Sequence, residues 1–205
     1  EAAGAQFRTT SDTEVVVNAI RIWGLNDAVR RFIGMFAFAV WDRHRKELSI
    51  VRDRVGIKPL FYWIGNDRML FGSEVRALLA HPDLPRCIDR VGIGQYLTTG
   101  YTLGATTALQ GVRRLLPGHT LTVGADQSTR ESCYWRLSDH VRNEESHSSS
   151  LDESVEELHE LVKSAFSYRL IADVPVATFL SGGVDSSLVA SVVSQSLGRS
   201  ITNIS

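Results

Sequence analysis

Ser181-Gly182-Gly183-Val184-Asp185-Ser186-Ser187 is the stretch whose flanks decide the fold of the second half of the chain. Before it, Val174-Pro175-Val176-Ala177-Thr178-Phe179-Leu180 is an apolar run of strand length, the pattern of a strand buried in a parallel sheet. After it, Leu188-Val189-Ala190-Ser191-Val192-Val193 and onward reads as a helix. Gly182 and Gly183 have no Cβ, so the backbone can turn sharply and bring its N–H groups close to an anion. The unpaired N–H groups and dipole of the following helix favour negative charge there. Ser181, Ser186 and Ser187 add hydroxyl donors, which completes the layout of a phosphate site. A plainer reading has Ser186 or Asp185 capping the helix and nothing more. The Walker-type loop is set aside, since no Gly-x-x-x-x-Gly-Lys-Ser/Thr occurs and no lysine lies in the turn.

Ahead of this loop the sequence turns polar between Ser138 and Ser150, the composition of a linker. Leu151, Val155, Leu158, Leu161, Val162, Ala165 and Phe166 then recur at three- and four-residue spacing, which predicts an amphipathic helix from Leu151 to Arg169. Ile201-Thr202-Asn203-Ile204 starts another strand. Residues 151–205 therefore read as the opening of a parallel α/β domain, 138–150 as a linker, and 1–137 as a separate domain.

That first domain reads as antiparallel α+β. Ser11 with Glu14 fits a capping box before Val15 to Trp23, Gly24 fits the residue past a helix end, and Asp27 can cap a second short helix, Ala28 to Phe32. Gly34 to Trp41 is apolar on both alternating faces, as in a strand buried between two layers, and pairs as a hairpin with Leu48 to Asp53. Leu60 to Ile64 and Met69 to Gly72 continue the meander, and Ser73-Glu74 opens a short helix, Val75 to Ala80. Asp89 can cap a helix reaching about Leu97, with Ile88, Ile93, Tyr96 and Leu97 packing inward. Pro117-Gly118 predicts a late hairpin between Val112–Leu116 and Thr120–Val123, and Tyr134-Trp135 a last anchor.

Composition narrows the function classes. With 205 residues, 43% hydrophobic and 22% charged, the chain has the make-up of a globular protein of one large or two small domains. A net charge of -1 gives no electrostatic case for nucleic acid or a membrane surface. No apolar run approaches the roughly 20 residues that span a bilayer and no signal peptide opens the chain, so the cytoplasm is the expected location. Cys87 and Cys133 have no metal-ligand spacing and read as reduced thiols, and the six histidines show no paired spacing. A start at Glu1 without methionine and an end at Ser205 within a strand read as a fragment.

The loop resembles the pyrophosphate loop of the ATP-pyrophosphatase families, which adenylate a carboxylate or amide oxygen. Upstream, Phe32-Ile33-Gly34-Met35-Phe36-Ala37-Phe38-Ala39-Val40-Trp41-Asp42, Arg52-Asp53-Arg54-Val55-Gly56-Ile57-Lys58-Pro59-Leu60-Phe61-Tyr62 and Gly72-Ser73-Glu74-Val75-Arg76-Ala77-Leu78 resemble the second half of the glutaminase domain of glutamine-hydrolysing asparagine synthetase. Leu115-Leu116-Pro117-Gly118-His119 and Tyr134-Trp135 resemble the stretch that closes that domain. The resemblance implies an N-terminal-nucleophile glutaminase fold of antiparallel sheets sandwiched by helices, followed by the start of a HUP-like ATP-pyrophosphatase domain.

It also implies the chemistry. A cysteine nucleophile releases ammonia from glutamine, ATP with Mg²⁺ adenylates the aspartate side chain, and ammonia displaces AMP. Asp12 matches the aspartate that holds the α-amino group of glutamine, against a plainer reading in which Ser11, Asp12 and Glu14 only cap a helix. Ser181, Gly182, Gly183, Asp185 and Ser186 match the pyrophosphate loop, and Leu180 a position beside adenine. The family's nucleophilic cysteine, its oxyanion segment and its later metal and aspartate ligands have no counterpart in these 205 residues, so this polypeptide alone is expected to be inactive. Arg52 and Asp53 read as structural, satisfying backbone and each other, and Glu74 as a cap. Glutamine, aspartate and ATP are the implied small-molecule partners, without nucleic acid or membrane, and a homodimer is left open. Two other readings remain: an amidotransferase paralogue acting on another carboxylate, of the surface-polysaccharide or β-lactam synthetase type, and a non-catalytic protein binding ATP or a partner.

Overall fold

In a computed structural model, which describes residues 4, 6–141, 150–196 and 202–204, the chain divides into two units, Glu1–Val141 and Arg142–Ser205. Helix α1 (Asp12–Arg31) starts at Ser11, whose hydroxyl accepts from Thr13 N at 3.3 Å. Gly24 leaves helical geometry at φ 75° and ψ 164°, so the helix breaks where the sequence predicts an end. The predicted second helix is continuous with the segment after that break, and Asp27 lies inside it rather than capping it. The capping box also fails to close. The Glu14 carboxylate accepts instead from Arg8 N, Thr9 N and Thr9 Oγ1 at 2.9, 2.8 and 2.6 Å, because the preceding chain folds back over the first turn. The Thr9 hydroxyl first, then these N–H groups, hold Glu14 below the usual carboxylate range.

The strands that follow are β1 (Ala37–Asp42), β2 (Glu47–Arg52), β3 (Phe61–Ile64) and β4 (Met69–Gly72). Two helices, α2 (Val75–Leu79) and α3 (Arg90–Thr99), precede β5 (Arg113–Arg114), β6 (His119–Val123) and β7 (Thr129–Cys133). They do not form one meander. One antiparallel sheet has the order β1-β2-β6-β7 and the other β4-β3-β5. The sheets pack face to face through Ile50, Leu121, Tyr62, Leu60 and Leu115, all nearly devoid of solvent contact. Outside the first sheet, Val29 of α1 packs on Val51 and Tyr134; outside the second, Leu78 of α2 packs with Leu84 and Val112. The order helix, sheet, sheet, helix is the antiparallel α+β sandwich expected from the sequence.

Three local expectations are corrected. β1 is an edge strand, so Trp41 is 55% exposed, and it is β2 that lies buried between partners. Pro117-Gly118 is no hairpin turn but the crossing from β5 in one sheet to β6 in the other, and the true hairpin partner of β6 is β7. Helix α3 starts as predicted, Asp89 Oδ1 accepting from Val91 N and Gly92 N at 2.9 Å each, yet Ile88, Tyr96 and Leu97 face solvent. The helix docks through Gly92 instead, where an added Cβ would lie 1.9 Å from Thr107 O.

In the second unit, α4 (Leu151–Arg169) opens with a capping box absent from the sequence reading. Ser150 N donates to Glu153 Oε2 at 2.8 Å and Glu153 N to Ser150 Oγ at 3.3 Å. Ser150 therefore belongs to the helix; Ser138 lies in a short 3₁₀ turn, Leu137–His140, and the rest of the predicted linker, 142–149, is outside the described residues. β8 (Ala177–Phe179) pairs in parallel with β9 (Thr202–Ile204) across α5 (Val184–Ser191), with a π-helical turn, Val192–Ser196, after α5. The parallel pairing follows the sequence, but the burial does not: Phe179 is 82% exposed. A parallel strand is buried only where helices cover both its faces, and among the described residues none covers this side chain.

Gly118 should tolerate no side chain. Its φ is 67°, and a Cβ would sit 2.3 Å from Trp135 O, so Gly118→Ala is expected to cost about 1–3 kcal/mol. Gly94→Ala, in α3 with nothing within 4 Å, should instead add roughly 0.8–1 kcal/mol of helix propensity. Urea midpoints of the two variants should move in opposite directions.

Candidate functional site

The loop Ser181 to Ser187 joins β8 to α5 as the sequence predicts. Gly182 turns it with φ 77°, a left-handed conformation that L side chains rarely adopt, and no atom lies within 4 Å of where its Cβ would be. The demand there is conformational, not steric. Gly183 then takes the N-cap position of α5 in extended geometry, with no side-chain cap hydrogen bond. Its carbonyl collects Ser187 N at 3.2 Å, Ser186 Oγ at 3.1 Å and Ser187 Oγ at 2.8 Å. Ser181 Oγ and Ser186 Oγ share a further bond of 3.1 Å. The plainer reading, in which Asp185 or Ser186 caps the helix, is thereby corrected. Both lie inside the first turn, and the leading N–H groups of α5 are left for an external acceptor. Asp185 is exposed beside them. Leu180 N donates to Ile204 O at 2.8 Å, so only the carbonyl of Leu180 is spare for a ligand.

Asp12 occupies the first position of α1 while Ser11 performs the capping, so the two proposed roles fall on different residues. The Asp12 carboxylate accepts from Thr13 Oγ1 at 3.4 Å and lines a cavity of about 550 Å³ with Val16, Met35, Phe38, Lys58 and Ser73. Asp12 and Lys58 are its charged lining residues; most of the rest are apolar. Sequence reading did not single out Lys58 as a cavity residue.

Neither Arg52 nor Asp53 lines this cavity, but both bond the backbone of Lys58, which does. Asp53 has no solvent exposure; Oδ1 accepts from Ile57 N and Oδ2 from Lys58 N, each at 2.9 Å. Arg52 donates from Nε to Lys58 O at 2.8 Å, from Nη1 to Leu115 O at 2.7 Å and from Nη2 to Gly56 O at 2.7 Å. Burial, with Arg114 adding to it and Asp53 opposing, lowers the Arg52 pKa from its ordinary value. The structural reading of both residues holds, with one change: their hydrogen bonds go to backbone groups instead of to each other. Tyr134 closes the arrangement by donating its hydroxyl to Arg52 O at 2.6 Å, and burial, then the Asp53 charge, push that phenol up. Glu74 stands at the N-cap of α2 but makes no side-chain cap bond, so its predicted capping role is not realised.

A family model described as glutamine amidotransferase domain matches residues 1–135, and one described as asparagine synthase matches 157–205. The chain is 40% identical over 192 residues to glutamine-hydrolyzing asparagine synthetase 3 of Bacillus subtilis, covering 93% of this chain and 30% of that protein. It is 36% identical over 194 residues to amidase chyE of Penicillium rubens, covering 92% of this chain and 27% of that one. The chain thus spans less than a third of these relatives' length. A solved glutamine phosphoribosylpyrophosphate amidotransferase from Bacillus subtilis aligns with 99% of this chain and 40% of its own at TM-score 0.44 and 18% identity.

The uncapped start of α5 gives a direct test. Gly183→Ser should supply the missing side-chain acceptor and slow amide hydrogen exchange at Asp185 and Ser186, whereas Gly182→Ala should cost roughly 1–2 kcal/mol locally and speed exchange across the loop. Equal exchange in both variants would show that α5 is already capped.

Proposed function

We infer the function from one premise: over residues 1–135 the chain belongs to the glutamine amidotransferase domain family, and residues 157–205 match asparagine synthase. The reading is glutamine-dependent asparagine synthesis by the protein that carries these two units. Ammonia is released from glutamine in the first unit, ATP activates the side-chain carboxylate of aspartate at the second, and ammonia displaces AMP to give asparagine and pyrophosphate. The observation that carries it is the pairing, in one chain, of a carboxylate-bearing cavity at Asp12 with a glycine-turned, uncapped helix start at Ser181 to Ser186.

Each residue has a role its chemistry supports. Asp12 is suited to fix the ammonium of an amino acid by charge-assisted hydrogen bonds while the apolar cavity wall takes the aliphatic body. Ser181, Gly182, Gly183 and Ser186 surround the leading N–H groups of α5, which suit the pyrophosphate of ATP. The Leu180 carbonyl is the acceptor for the adenine edge. Asp185, exposed in the first turn, is placed to orient the nucleotide. Mg²⁺ enters as the ion ATP brings. Among the described residues no group of three His, Cys, Asp or Glu could hold a metal. The first matched relative is named for asparagine synthesis, which favours aspartate as acceptor, and product analysis tests that assignment.

Asp12→Ala should raise the glutamine KM and leave ammonia-supported synthesis intact. Asp185→Ala should suppress aspartate-dependent pyrophosphate release and spare glutamine hydrolysis. Release of ADP and phosphate instead of AMP and pyrophosphate would refute the adenylation chemistry, and loss of both activities together in Asp185→Ala would mark that residue as structural.

A further inference from the structure

We propose that Arg52 and Asp53 are positioning residues for the Asp12 cavity, setting the separation of its walls without touching what it holds. The proposal rests on the reading of that cavity as the amino-acid donor site. Phe36, Lys58 and Pro59 line the cavity with Asp12, whereas neither Arg52 nor Asp53 does. Asp53 reaches one wall through its backbone, its N–H donating to Phe36 O at 2.9 Å. It reaches the other through its side chain, the two carboxylate oxygens accepting from Ile57 N and Lys58 N. Arg52 completes the hold by donating to Lys58 O and Gly56 O. Both backbone groups of Lys58 are therefore pinned by buried charged side chains, and the wall it belongs to is tied through one residue, Asp53, to the wall at Phe36.

Stability alone is a weak reason for this arrangement. A buried charge loses its hydration, and well-packed apolar residues often serve a core as well or better. What two buried charges supply that apolar side chains cannot is direction. A carboxylate receiving two consecutive N–H groups, and a guanidinium fork donating to three carbonyls, fix the path of residues 56–58 in one geometry. Misplacement of a binding wall by about an ångström is enough to cost orders of magnitude in turnover with the bound substrate.

The test compares two variants of the same hub in the intact protein. Asp53→Asn retains size but offers one acceptor and turns an amide N–H₂ toward a backbone N–H, so the Lys58 wall must shift. Tyr134→Phe removes the hydroxyl bonded to Arg52 O and leaves every contact to residues 56–58 in place. At a temperature where both are folded by circular dichroism, Asp53→Asn should raise the glutamine KM about tenfold or more while kcat with ammonia stays near wild type. Tyr134→Phe should lower the melting temperature without moving the glutamine KM. A glutamine KM unchanged in Asp53→Asn, or raised equally in Tyr134→Phe, overturns the proposal. Where Asp53→Asn does not fold, Arg52→Lys takes its place, since a single ammonium cannot reach Lys58 O, Gly56 O and Leu115 O together. Asp12→Ala separates the two levels of inference. If it leaves the glutamine KM unchanged, the donor-site reading fails; if it raises KM while Asp53→Asn does not, only the positioning role fails.

Discussion

A buried carboxylate with no exposed surface, Asp53, and the guanidinium beside it in sequence hold together parts of the first unit that hydrophobic packing alone would leave free to slide. The chain leaves β2 at Arg52 and must cross from one sheet to the other before β3 begins at Phe61. Such a crossing leaves backbone groups without ladder partners at a part-buried place, where an unpaired N–H or carbonyl is costly. Arg52 and Asp53 meet that demand for Gly56, Ile57 and Lys58 at once, and Asp53 O also receives Gly56 N and Gly118 N. The second crossing, at Pro117-Gly118, thus hangs on the same residue as the first.

Gly118 shows how tightly the two crossings are joined. Its N–H donates to Asp53 O, and its carbonyl accepts from Tyr134 N at 2.8 Å and Trp135 N at 3.3 Å. The Tyr134 hydroxyl then returns to Arg52 O. Segments far apart in sequence close one ring of hydrogen bonds, and Asp53 in that ring also bonds the backbone of Phe36 and Lys58, which line the cavity with Asp12. Within that ring only Arg52 and Asp53 reach the cavity wall, through the backbone groups of Phe36 and Lys58, and the Tyr134 bond serves the sheet crossing alone. Among the described residues of the second unit there is no comparable hub: its strands are short, its β8–β9 pair is exposed, and its loop depends on one glycine dihedral and a cluster of serine hydroxyls around Gly183 O.

Local signals were legible in the sequence, and long-range ones were not. Asp89 as a cap, Gly24 as a helix break, Met69–Gly72 as a strand and Tyr134 as an anchor each follow from the chemistry of one or a few neighbouring residues. Pro117-Gly118 misled because a turn dipeptide reports that the chain bends, not whether the next strand returns to the same sheet. Helix α3 misled for a related reason. Its apolar residues gave a face by periodicity, but the close approach of Thr107 O admits only Gly92, so the apolar side chains turn outward. Lys58 went unread because its importance lies in backbone bonds made to its own N–H and carbonyl, which no side-chain pattern announces.

The loop that first suggested nucleotide chemistry and the cavity that suggests donor binding take their form by opposite routes. In the loop, that form comes from removing groups: no Cβ at Gly182, no side-chain cap at Gly183, and serine hydroxyls folded back onto Gly183 O. In the cavity it comes from adding them, one carboxylate at Asp12 against a wall held by two buried charges. The first device is local and can be written in seven consecutive residues. The second needs Asp12, Phe36, Asp53 and Lys58 brought together by two sheets and a broken helix, and for that reason only the fold reveals it.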